Sequence, residues 1–119
     1  MNVLILYHSR LGATQKMARL IARGVESVPG CDAVLRTVPE IHGAQAEPLA
    51  AEESGDALIE RSELADCGAL ILGSPTRFGN MSAELKHFID GTSSIWMSGG
   101  LSGKLAAVFT SSSSMHGGQ

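Results

Sequence analysis

Cysteine is nearly absent from this chain. Cys31 and Cys67 stand far apart, and no Cys-x-x-Cys pair or Cys/His cluster at ligand spacing accompanies them. A zinc knuckle is therefore excluded, no metal site is expected, and both lone thiols are predicted to be half-buried packing residues. Clustered positive charge is missing as well. Nine Lys and Arg are scattered through a chain of net charge −3, which removes nucleic acid as an expected partner. No apolar run approaches the roughly 20 residues that a bilayer span requires. The N-terminus enters "NVLILY" without a basic segment or cleavage site, so a soluble, cytoplasmic protein is expected. Internal repeats and linkers are also lacking, and 119 residues suffice for one domain.

What is present is alternation. "NVLILY" (Asn2–Tyr7) is a short continuous apolar run, the pattern of a parallel strand covered on both faces. Met17, Leu20, Ile21, Gly24 and Val25 then mark one face of a helix. Thr14 or Ser9 is the expected cap, and Gly24 is expected to let that helix approach the sheet closely. "CDAVLRTV" (Cys31–Val38) alternates and reads as a strand nearer an edge. Residues 39–57 carry two prolines and several acids without periodicity, the signature of a long functional or mobile loop. "LIERSELADC" reads as a short helix that restarts at Ser62, and "GALILG" (Gly68–Gly73) as a second fully apolar strand. A helix bearing Met81, Leu85, Phe88 and Ile89 follows, then a Gly/Ser loop holding Trp96, then the strand "KLAAVFT" (Lys104–Thr110).

Strands alternating with helices predict an α/β fold, a parallel sheet with right-handed crossovers and helices on both faces. Ligands of such sheets bind outside the carboxyl ends of the strands. Here those ends carry residues 8–14, 74–80 and 111–118, all rich in Ser, Thr and Gly. "SRLGAT" is neither GxxxxGK[ST] nor GxGxxG, so a triphosphate P-loop and a dinucleotide fingerprint are both excluded. Its hydroxyls, its glycine and the first helical N–H groups suit a phosphate. A capped strand-to-helix turn explains the loop equally well when it is taken alone. Phe78 and Trp96, two of only five aromatics, fall in polar loops and suit the walls of a flat ligand.

"SRLGATQKMA", "GSPTRFGNMS", "GTSSIWMSGGLSGK" and "SSSSMHGGQ", in this order, resemble the WrbA-type flavoproteins, flavodoxin-like NAD(P)H:quinone oxidoreductases that bind FMN. The resemblance implies a three-layer sandwich with strand order 2-1-3-4-(5), residues 1–119 being an FMN-binding domain whose fifth strand and last helices lie outside this chain. It places the FMN phosphate on Ser9, Arg10, Leu11, Gly12, Ala13 and Thr14. One side of the isoalloxazine falls to Pro75, Thr76, Arg77, Phe78 and Gly79. The other side falls to Ser111, Ser112, Ser113, Ser114, Met115, His116, Gly117 and Gly118. Trp96 and Leu11 are implied as substrate contacts, within a box completed by a neighbouring subunit of a homo-tetramer, a dimer of dimers. The implied activity is ping-pong, two-electron reduction of a quinone by NAD(P)H through the flavin N5, with no catalytic side chain because the cofactor carries the chemistry. A one-electron flavodoxin-type carrier and a non-catalytic, partner-binding accessory flavoprotein are the alternatives. Of the four histidines, His87 is expected on a solvated helix stripe, His116 in the flavin-flanking loop and His42 in the long loop, while His8 ends the first strand.

Overall fold

The computed structural model describes residues 1–41 and 55–115. Four strands, β1 (Asn2–Tyr7), β2 (Asp32–Thr37), β3 (Ala69–Pro75) and β4 (Leu105–Ser111), form one parallel sheet in the order β2-β1-β3-β4. The helices are α1 (Ala13–Glu26), α2 (Arg61–Asp66), α3 (Ala83–Asp90) and α4 (Ser93–Met97). The fold is flavodoxin-like, with the order expected for the first four strands. The strand order reverses between β1 and β3, so the crevice for a ligand opens at their carboxyl ends.

The continuous apolar runs become the two central strands because both of their faces are covered. Side chains of a strand alternate between faces. Leu4 and Leu6 pack with Val38, Leu64, Cys67, Leu70 and Leu85 on the α2/α3 side. Ile5 and Tyr7 pack with Ala18 on the α1 side, joined by Ile21, Ala22, Val25 and Phe109. Full burial of each large aliphatic contributes about 1.5–3 kcal/mol. The alternating second strand does lie at an edge, as its pattern predicts. Both thiols are free, Cys67 buried and Cys31 partly so. At the other edge of the described sheet, Leu105 and Val108 of β4 stand exposed.

Four local expectations need correction. The buried stripe of α1 is Thr14 and Ala18, flanked by Ile21, Ala22 and Val25, whereas Leu20 is exposed. A Cβ on Gly24 would meet nothing within 4 Å, so that glycine mediates no close approach. Close helix–sheet contact selects small side chains, and Thr14 and Ala18 supply them. Secondly, Leu58 and Ile59 are extended, not helical. The Ile59 N–H donates to the Thr37 carbonyl at 2.9 Å, and α2 begins only at Arg61 behind a Glu60/Glu63 capping box. Thirdly, Ser74 and Pro75 continue β3, aligned with Thr110 and Ser111 of β4. Finally, Trp96 lies in the five-residue α4 and not in a loop. Ile95 anchors that turn against the core, and Gly99 ends it at φ 75°. Five residues are too few for helical periodicity to be read.

Candidate functional site

A cleft of about 390 Å³ opens at the carboxyl ends of β1, β3 and β4. Residues 9–11, 13 and 14 line it from the first loop, 75–78 from the second and 111–114 from the third. Three loops separated by up to a hundred positions are therefore one site. Hydrogen bonds knit them together. Thr14 Oγ1 lies 2.9 Å from Ser111 Oγ, and the Thr76 N–H donates to the Ser111 carbonyl at 3.1 Å. Thr110 Oγ1 donates to the Ser74 carbonyl at 2.7 Å.

Neither Thr14 nor Ser9 caps α1, contrary to the sequence reading. The N-cap is Gly12 at φ 98°, which has no side chain to offer. Ser9 Oγ instead accepts the Gly12 N–H at 3.1 Å, and Thr14 is drawn to Ser111. The first turn of α1 also carries no acidic residue. The N-cap thus offers the first turn no side-chain acceptor, and the helix dipole adds roughly half a positive charge at that end. Arg10 and Arg77 line the same space, and no Asp or Glu is among the described lining residues. In a chain of net charge −3, the described lining is locally positive.

The second loop turns at Arg77–Asn80. Arg77 N–H donates to the Asn80 carbonyl at 2.8 Å and Asn80 N–H to the Arg77 carbonyl at 3.0 Å. Both central residues have positive φ, Phe78 at 52° and Gly79 at 77°, the signature of a type I′ turn. Asn-Gly suits that turn; an aromatic at its first central position does not, and the left-handed region costs a β-carbon residue about 1–2 kcal/mol. Phe78 nonetheless stands there fully exposed, a strained, unburied aromatic at the cleft's rim. The loop is braced from beneath by buried Ser82, which caps α3, and whose N–H donates to Ser74 Oγ at 2.9 Å.

The other predicted residues divide. Gly12 and Gly79 act through backbone conformation and are not among the cleft's lining residues; Met115 is exposed and also outside them. Trp96 is 75% exposed and does not line the cleft. His116, Gly117 and Gly118 lie outside the described residues, as do His42 and positions 42–54 of the long loop. His87 is exposed, as its helix stripe predicts. Two buried polar clusters were not anticipated. Below α1, the Tyr7 hydroxyl donates to the Asp56 carboxylate and accepts from Gln15 Nε2 at 3.2 Å. Burial, with that carboxylate next in importance, pushes the Tyr7 phenol up to about 12. On the opposite sheet face, His8 is buried between Glu40 and Glu84. Both clusters unite residues from distant segments, and only the parity of β1 hinted that Tyr7 and His8 face opposite ways.

A model of the family described as NADPH-dependent FMN reductase matches residues 1–119. The NAD(P)H dehydrogenase (quinone) of Geobacter sulfurreducens is 46% identical over 100% of this chain and 62% of its own length. That of Solidesulfovibrio magneticus is 45% identical over the same shares. The chain thus spans 62% of the length of these curated relatives. The flavodoxin, WrbA-like protein from Agrobacterium tumefaciens superposes with a TM-score of 0.71 at 30% identity, over 98% of this chain and 63% of that one. Oxidised Flavodoxin 1 from Bacillus cereus superposes at 0.65 over 92% of this chain and 60% of that one, and at 24% identity that likeness shows the fold alone.

Proposed function

The chain belongs to the NADPH-dependent FMN reductase family, and on that footing we propose that its cleft is an FMN site serving NAD(P)H-dependent reduction of quinones. The observation that carries this reading is the joining of an uncapped helix N-terminus, two arginines and an exposed aromatic in one cleft at the strand-order reversal. Bound there, FMN would supply the two-electron chemistry between a reduced nicotinamide and a quinone.

The chain's share is binding and orientation. Ser9, Arg10, Leu11, Gly12, Ala13 and Thr14 would hold the phosphate, with the leading N–H groups of α1 donating. Thr76, Arg77, Phe78 and Gly79 would wall one side of the ring, with Pro75 ending β3 beneath them. Residues 111–118 would flank the other side, and their amides and hydroxyls would stabilise charge on the reduced ring. The Thr14–Ser111 and Thr76–Ser111 hydrogen bonds hold both walls in register before anything binds. No acid or base is required of the lining side chains. Leu11, exposed at the mouth, and Trp96 are the proposed substrate contacts. Because Trp96 is exposed and does not line its own chain's cleft, its proposed role is at the cleft of a second copy in a tetramer.

FMN fluorescence quenching and steady-state oxidation of NADH or NADPH with a benzoquinone test the reading on the full chain. Saturable quenching with parallel double-reciprocal lines is the expected result. Absence of FMN binding would overturn the cofactor assignment. A persistent blue semiquinone on anaerobic titration, without turnover, would instead make the protein a one-electron carrier.

A further inference from the structure

A second cavity, of about 460 Å³, lies apart from the first and has the opposite charge character. Glu40, Glu84 and Asp90 line it with Arg61 and His87. Beneath it sits His8, only 2% exposed. By the alternation of β1, His8 follows Leu4 and Leu6 onto the α2/α3 face, away from Tyr7. Its backbone N–H is fixed by the Gly73 carbonyl at 3.0 Å.

The ring is held from one side only. Nε2 lies 2.7 Å from Glu40 Oε1, a distance at which Nε2–H donates to the carboxylate. With the imidazole neutral, the lone pair then falls on Nδ1. Nδ1 is buried, has no hydrogen-bond partner among the described residues, and faces Glu84 Oε2 at 3.7 Å. Two acceptors then confront each other, with no donor between them among the described residues. A buried, unsatisfied nitrogen costs about 1–3 kcal/mol, and a metal cation or a proton between the two groups would remove that cost.

We propose that His8 Nδ1 and the Glu84 carboxylate bind a divalent transition-metal cation of the zinc class, with Glu40 as the partner that orients the imidazole. Bonds of about 2.0–2.1 Å from each ligand span 3.7 Å at an angle somewhat wider than tetrahedral. Donor atoms of His8, Glu40 and Glu84 all fall within 4.8 Å of one another. The carboxylate–histidine–metal arrangement is a recurring one in which the outer carboxylate fixes the tautomer and raises ligand basicity. Imidazole with carboxylate favours zinc-like ions over magnesium. The neighbouring cavity, lined by Glu40 and Glu84, is the route by which a cation and its waters would arrive, and its acidic lining favours a cation. The three residues stand 32 and 44 positions apart in sequence order (8, 40, 84), which is why no short ligand motif announces them.

The test is zinc titration of the metal-free full chain against a competing chelator, with Co²⁺ visible absorption reporting the ligand field. One zinc per chain is expected, raising the thermal midpoint. Glu84→Gln should weaken zinc at least tenfold, and Glu40→Gln by about 10–100-fold, with both variants folded by circular dichroism. His8→Gln tests the nitrogen directly; should it not fold, the two glutamate variants decide. His87→Gln, on the cavity's exposed lip, should change affinity less than twofold. Unaltered zinc binding in both glutamate variants, or its loss in His87→Gln alone, would overturn the site in favour of surface binding. No uptake by the wild-type chain at millimolar zinc would equally overturn it, leaving a proton between His8 and Glu84. FMN quenching, measured with and without zinc, keeps failure here distinct from failure of the cleft's assignment.

Discussion

The chain has one tyrosine, and its ionisation can be read without interference from another. Tyr7 is 1% exposed, and its phenol rises from 10.0 to about 12 in the folded state. Burial is the main cause, because a phenolate there would lose its water; the hydrogen bond to Asp56 is the next. The folded value exceeds the unfolded one, so this contribution is fully present below pH 10 and is lost as pH rises through about 12. Two pH units correspond to about 3 kcal/mol, with stability falling by about 1.4 kcal/mol per unit inside the window. The perturbation is Tyr7→Phe, compared with wild type by urea unfolding at steps of pH across that window. Every other group is common to both proteins, so the difference isolates Tyr7. Wild type should show the steeper decline. The variant should also be less stable at neutral pH by about 1–3 kcal/mol, because Asp56 loses the hydrogen bond from the Tyr7 hydroxyl, while the Arg19 contact at 3.7 Å remains. Tyrosinate absorbance in the native chain should have its midpoint near 12. A midpoint near pH 10 with the fold intact, or equal slopes in the two proteins, would refute the reasoning.

Gly73→Ala should cost about 1–3 kcal/mol, since a Cβ there would fall 2.0 Å from the Phe109 ring; chemical denaturation measures it. Phe78→Gly relieves the left-handed strain but gains unfolded-state entropy, so stability should change by less than about 1 kcal/mol while FMN affinity falls severalfold, read by fluorescence quenching. Arg10→Ala and Arg77→Ala should each weaken FMN by up to about fivefold, and the difference should shrink as salt is raised, because both guanidiniums are exposed and screened.

The two central strands were legible because parallel strands covered on both faces need unbroken apolar runs, and "VLILY" and "ALIL" are such runs. β2 was legible as an edge from its alternation. The phase of α1 was misread because large apolar residues draw attention, whereas the sheet contact is made by Thr14 and Ala18, whose value lies in being small. Leu58 and Ile59 were misread for a related reason. Their apolar character fits a helix or a strand, and only pairing with Thr37 chooses between them. Trp96 belongs to a helix too short to display a period.

Composition and order alone determined that this chain builds an α/β parallel sheet, and where its three polar loops must emerge, because strand and helix periods are local properties of the backbone. The loop motifs pointed to three segments whose residues 9–11, 13, 14, 75–78 and 111–114 line one cleft. Tertiary structure alone decided that Thr14 bonds Ser111 instead of capping α1, that Phe78 is held at positive φ, and that Tyr7 and His8, adjacent in sequence, enter separate polar clusters on opposite faces of the sheet. Each depends on groups brought together from distant segments, and no period or spacing along one chain encodes which atoms will meet.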